Sequence, residues 1–229
     1  KPFTGLESFS RGGSFIFGSP KQYFKPVPNY DHKTPKVLYT TGVITYPNYN
    51  LKNRVGRIAH KDHTYGGLYV EIENNKIYHV RHVEFTEKGV GFDLGVRFDR
   101  NKNSIIRPEA LVLGDWHTGM TDKISRATSF EMVETYKPKR IFLHDFFDGA
   151  SINHHEEGHI IDKYFSFQDN NLSLDKELKN LANELRYFVN NTPKDCKIYV
   201  VKSNHDEFLY RYLNEGRFIK EPQNAYMAS

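Results

Sequence analysis

Three short apolar runs, each ending in a burst of Asp, His and Asn, constrain this chain more than anything else in it. Residues 110–113 lead to Asp115-Trp116-His117, Ile141-Phe142-Leu143 to His144-Asp145-Phe146-Phe147-Asp148, and Ile198-Tyr199-Val200-Val201 to Ser203-Asn204-His205-Asp206. Short, continuously apolar runs are typical of strands buried on both faces. Two helical stretches separate them. Residues 121–136 place Ile124, Ala127, Val133 and Tyr136 near helical spacing, and Pro138 stops the run. The second begins at Ser173, a good N-cap, and carries one stripe of Leu174, Leu178, Leu181, Leu185, Phe188 and Val189 before Pro193. A βαβαβ order closes into a parallel sheet through right-handed crossovers, so the fold class is α/β. Each polar cluster then falls at the C-terminal end of a strand, where open α/β sheets build their sites.

The first half has a different period. Residues 36–100 read as strands: Val37-Leu38-Tyr39, then Gly42-Val43-Ile44-Thr45-Tyr46, then a hairpin of 67–72 with 76–80 across Glu73-Asn74-Asn75. Val83-Glu84-Phe85-Thr86 and residues 92–98, with Gly89 between them, complete a meander. Residues 1–35, rich in Gly, Pro, Ser and aromatics, look like an irregular wrapping segment. The expected organisation is a β-rich accessory domain over 1–109 followed by a second domain over 110–229. Charge separates them too: 17 Lys+Arg against 10 Asp+Glu in 1–109, and 15 against 18 in 110–229. A basic half joined to an acidic, His-rich half suits a grip on a polyanion such as a nucleic acid beside a metal site, or is ordinary variation in surface charge. Arg54, Arg57 and Lys61 either contact phosphates or simply keep a face wet, and His60, His63, His79 and His82 read as surface or phosphate-contacting groups on strand-like segments.

Asp, His and Asn together are the side chains that hold divalent ions in mixed O/N coordination, suiting Mn above all, or Mg, Fe, Zn or Ni. One carboxylate can bridge two such ions roughly 3.5–4 Å apart, and a water between them becomes hydroxide near neutral pH, a nucleophile for phosphorus. Trp116 has two readings beside such a site, a base-stacking surface or a packing wall. The single cysteine, Cys196, excludes an internal disulfide and fits a reducing compartment such as the cytoplasm. No run of 18 apolar residues is present, so no membrane span is expected. Self-association into a homo-oligomer is left open.

Asp115-x-His117, Asp145-x-x-Asp148 and Asn204-His205-Asp206 resemble the blocks of the calcineurin-like metallophosphoesterases, D-x-H, G-D-x-x-D/N and G-N-H-E/D, in order and in spacing. The resemblance implies a metallophosphoesterase-like sheet in which Asp115 and His117 hold one metal and Asp145 bridges to a second. Asn204 would bind the second metal and touch the phosphate, His205 would protonate the leaving oxygen, and Asp206 would orient His205. Two residues depart from the pattern: His144 and Ser203 stand where the family has Gly. The later His blocks of the family are absent from the 229 residues, so residues 110–229 are expected to be the N-terminal part of such a domain. His154 and His155 are the local substitutes, and with Asp148 they are candidates for substrate binding. The stretch from Gly114 to His155 is more specifically similar to phage-encoded members of the family, which implies a metal-dependent nuclease acting on host DNA in the host cytoplasm. The alternatives are a nucleotide or protein phosphomonoesterase and a non-catalytic binding module with a degenerate site.

Overall fold

The computed structural model describes residues 2–9, 11–29, 36–74, 77–100, 102–154, 161, 164 and 172–228. The chain divides into two compact units, Lys1–Ile106 and Arg107–Ser229.

In the first unit, strands β1 (Phe15–Phe17), β2 (Phe24–Val27) and β3 (Lys36–Thr40) form one small sheet. Central β3 runs parallel to β1 and antiparallel to β2. Leu38 and Thr40 of β3 are fully buried, and Pro26 is tolerated because β2 lies at the edge. Phe3 is buried and meets the rings of Phe17 and Tyr23 at 5.9 and 5.5 Å, so the irregular front segment wraps this sheet.

Four expectations fail in this unit. Gly42-Val43-Ile44-Thr45-Tyr46 is not a strand: Gly42, at φ +77°, and Val43 make only isolated bridges, and Ile44 and Tyr46 project into solvent. Helix α1 (Arg54–Lys61) replaces the strand character expected around His60. Asn53 caps it by accepting from Gly56 N at 2.7 Å, and Val55, Ile58 and Ala59 follow helical spacing. A Cβ on Gly56 would lie 1.9 Å from the Asn50 carbonyl, so only Gly permits the approach. The hairpin of β4 (Gly66–Ile72) and β5 (Tyr78–Glu84) is present, with Val83 and Glu84 continuing β5 rather than opening a new strand. Residues 92–98 are not one strand but two, β6 (Gly91–Asp93) and β7 (Val96–Phe98), with β8 (Asn103–Ile105) beside β7. Leu94 and Gly95, at φ +44° and +79°, form the left-handed two-residue turn between them.

The second unit is the expected α/β arrangement. Strands β9 (Leu111–Asp115), β10 (Arg140–His144) and β11 (Lys197–Val200) form a parallel sheet with β10 in the centre. Helix α2 (Lys123–Tyr136) connects β9 to β10, and α3 (Leu174–Asn190) precedes β11. Asp122 caps α2 by accepting from Ile124 N and Ser125 N, and those bonds lower its carboxyl pKa, the Ser125 bond most. Ser173 caps α3, and the fully buried Asn224 accepts from Leu174 N at 2.8 Å, meeting another of that helix's unpaired N–H groups. Helix α4 (Asn204–Asn214) follows β11 directly, and α5 (Pro222–Ala228) carries Asn224.

Leu113, Ile141 and Leu143 pack with Val133 and Phe188 into one core, and Trp116 and Phe146 close its upper end. A second cluster of Phe147, Ile152, Leu174, Phe208 and Tyr212 lies next to the polar loops. The sheet is not buried on both faces as its apolar runs suggest. Val112 is 61% exposed, and Phe142 stacks on the 40% exposed Tyr199 at 5.0 Å. The α3 stripe is likewise only partly used, since Val189 is exposed.

Trp116 is the chain's single tryptophan and sits in this core, so its fluorescence reports the second unit. Ile141→Ala should lower the unit's stability in urea by about 2–5 kcal/mol. Val112→Ala should change it by no more than about 0.5 kcal/mol, because its side chain is already wet.

Candidate metal centre

Past their last paired residues, β9 and β10 stay zipped together. Trp116 N donates to His144 O at 2.9 Å, His117 N to Asp145 O at 2.8 Å and Thr118 N to Phe146 O at 3.2 Å. The register shifts between Phe142 and His144, a bulge of the kind that re-aims side chains beside sites. His117 and Asp145 both take left-handed backbone, at φ +46° and +43°. For non-glycine residues this is unfavourable by roughly 1–2 kcal/mol each, and such strain gathers at functional sites.

Trp116, between Asp115 and His117, turns into the core. It meets Phe188 edge-on at 4.8 Å and donates its indole N–H to Glu184 at 3.2 Å. Glu184 also accepts two bonds from Arg126, at 2.7 and 3.0 Å, which raise that guanidinium's pKa. Of its two readings, Trp116 is the packing wall.

The result is a group of three donors. Ligand atoms of His117, Asp145 and His205, all half-buried, lie within 4.8 Å of one another. It is the one group of this kind among the described residues. Both imidazoles are turned by a single residue. His117 Nδ1 lies 2.8 Å from the Asp148 carboxylate, and His205 Nδ1 is hydrogen-bonded to the Asp148 backbone carbonyl. A carboxylate and a carbonyl can only accept, so each Nδ1 carries a proton, and in the neutral imidazole each Nε2 keeps a lone pair. Histidines that ligate metals are oriented in this way. Beside them, Asp145 Oδ1 is buried and has no hydrogen-bond partner. Two free Nε2 lone pairs and an orphaned carboxylate oxygen fit a divalent ion of the Mn, Fe or Zn type.

The other expected residues are placed as follows. Asp115 ends β9 exposed, opposite His144, and is outside the three-donor group. Asn204 opens α4 and is exposed. Asp206 accepts from Ser203 N at 2.8 Å in the capping box that starts α4, so its carboxylate serves the helix that carries His205. His154 packs edge-on against Phe208 at 5.1 Å and meets Arg211 at 2.9 Å. His155 lies outside the described residues.

The sequence gives no hint of Glu177. Its carboxylate collects the backbone N–H groups of Gly149, Ala150 and Ser151, at 2.7, 3.1 and 3.2 Å, and the Ser151 hydroxyl. This pins the turn immediately after Asp148, where Gly149 takes φ +73° against Phe208 and Phe147. From the sequence, an acid in the first turn of a helix reads only as a partner for the helix dipole.

No protein-family model and no solved structure matches the chain. It is similar to Protein A1 of Escherichia phage T5, at 28% identity over 229 aligned positions. The match takes in 91% of this chain, and therefore parts of both units, but only 39% of that phage protein's length.

Asp145→Ala keeps the left-handed backbone strain, whereas Asp145→Gly relieves it. In EDTA the Gly variant should therefore be more stable than the Ala variant by about 1 kcal/mol in thermal unfolding. Asp148→Asn should weaken divalent-metal binding by roughly 10–100-fold in calorimetric titration, as loss of an outer-sphere partner does.

Proposed function

We propose that the second unit is the metal-binding part of a phosphoesterase of the calcineurin-like kind, and that it hydrolyses phosphodiester bonds in DNA. The observation that supports this most is the hold of Asp148 on two imidazoles whose ring nitrogens lie within 4.8 Å of the Asp145 carboxylate, one oxygen of which is buried with no hydrogen-bond partner. A divalent ion held there supplies Lewis acidity toward a phosphoryl oxygen and lowers the pKa of a water. His117, Asp145 and His205 are the residues that would hold it, which gives His205 a ligand's role in place of the general acid's role implied by the resemblance. Asp148 keeps both imidazoles in the ligating tautomer. The strained backbone at His117 and Asp145 aims their side chains into the same space before any ion arrives.

DNA as the substrate is supported by the basic balance of residues 1–109, and a phage setting with host DNA as the target by the similarity to a phage T5 protein. The two-metal centre implied by the resemblance would need further donors. Asp115, two residues before His117, and Asn204, immediately before His205, are the candidates for them.

The chain is incubated with Mn and offered supercoiled plasmid, bis(p-nitrophenyl) phosphate and p-nitrophenyl phosphate. Nicking of plasmid and release from the diester are expected, both lost in Asp145→Ala. Release from the monoester alone would replace this reading with a phosphomonoesterase, and no Mn uptake in equilibrium dialysis would replace it with a binding module. His205→Ala separates the two roles of that residue. A ligand's loss removes Mn binding, whereas loss of a general acid leaves Mn bound and lowers the rate by about 10²–10⁴-fold.

A further inference from the structure

We infer that Arg211 and His154 form an anion subsite beside the metal centre, one that takes a second phosphate of the substrate; this rests on the phosphoesterase reading above. Arg211 lies on α4, six residues after His205, and is exposed. Neighbouring cations have acidic partners: Lys202 pairs with Glu207 at 3.4 Å and Arg217 with Glu215 at 3.3 Å. Among the described residues no carboxylate pairs with Arg211. What it meets instead is another basic side chain, with Nη1 2.9 Å from His154 Nε2.

A guanidinium can only donate, so His154 Nε2 accepts and that imidazole is neutral, with its proton on Nδ1. One of the five guanidinium N–H groups is thereby spent on holding the side chain in place. The others remain available, and their planar fork matches two oxygens of a phosphate.

The place is set by Phe208. Both His205 and His154 contact its ring, with centroids 4.8 and 5.1 Å away, so a single phenyl ring touches both the metal centre and the Arg211–His154 pair. Phe208 is buried, and the turn leading to His154 is pinned by Glu177. The pair is therefore held at a defined offset from the three donors. A substrate with one phosphate fills the centre alone; a nucleic-acid strand or a nucleoside polyphosphate offers a second group to the guanidinium.

The test uses the whole chain and a fluorescein-labelled single-stranded deoxyoligonucleotide, with anisotropy read in EDTA and in Mn. Arg211→Ala should weaken oligonucleotide binding by about tenfold, the usual scale for one charge-assisted contact. Arg211→Lys should restore only part of it, because charge returns without the fork. Mn affinity, and turnover of bis(p-nitrophenyl) phosphate, which has no second phosphate, should stay as in the parent. Competition by ADP but not by inorganic phosphate assigns the subsite to polyphosphates, and displacement by unlabelled oligonucleotide alone assigns it to a strand. Unchanged binding of both oligonucleotide and ADP in Arg211→Ala overturns the inference, as does an equal fall in Mn affinity, which would make Arg211 a structural residue. If the parent binds no Mn yet binds oligonucleotide through Arg211, it is the phosphoesterase reading that fails.

Discussion

The arrangement of the second unit turns on Asp148, which holds two histidines from two different loops with two different acceptors. Its carboxylate takes the Nδ1 proton of His117, at the end of β9, and its backbone carbonyl takes that of His205, at the start of α4. The two rings lie edge to face, with centroids 4.6 Å apart. Each hydrogen bond settles a tautomer as well as an orientation, and the tautomer is the chemically important part. Rotating either ring would break its Nδ1 hydrogen bond to Asp148.

Much of the surrounding structure serves to keep Asp148 where it is. The loops after β9 and β10 remain hydrogen-bonded beyond the sheet, which fixes the distance between His117 and the segment 145–148. Glu177 reaches from α3 to gather three successive N–H groups of the next turn, a backbone nest that favours an anion. Trp116 is anchored in the opposite direction by Glu184 and by Phe188, so the chain on either side of it must face the loop region. A buried carboxylate oxygen with nothing to accept is unfavourable in isolation. The fold tolerates it at Asp145, itself one of two strained backbone positions, because the neighbouring zipper and core determine that conformation more strongly than the local preference opposes it.

The first unit contributes differently. Its small sheets and the α1 helix carry the basic balance of the chain, with Arg54, Arg57, His60 and Lys61 on or at the end of one short helix. Similarity to the phage T5 protein reaches into both units. On the reading proposed above, phosphate contacts made by the first unit would add to the binding of a long polyanion.

How much of this was legible from the residues alone depends on how local each cause is. The order of strands and helices from Leu111 to Val200 was, because apolar periodicity, the Ser173 cap and the Pro138 stop act over a few residues. The hairpin of β4 and β5 was legible for the same reason. Helix α1 was not, since its eight residues mix charge and apolar groups and it depends on Gly56 packing against Asn50. The turn at Leu94 was hidden because leucine seldom adopts a left-handed backbone. At the site, the sequence by itself determined which side chains could bind an ion and that they stand at strand ends. Only the tertiary structure decided which of them meet. It brings His205 to His117 and Asp145, leaves Asp115 and Asn204 exposed, turns Asp206 to helix capping, and makes Asp148 and Glu177 the orienting groups. The physical reason is that an imidazole's direction is set by whichever acceptor lies across from its N–H. That acceptor belongs to another strand or helix, dozens of residues away, and no short-range pattern records it.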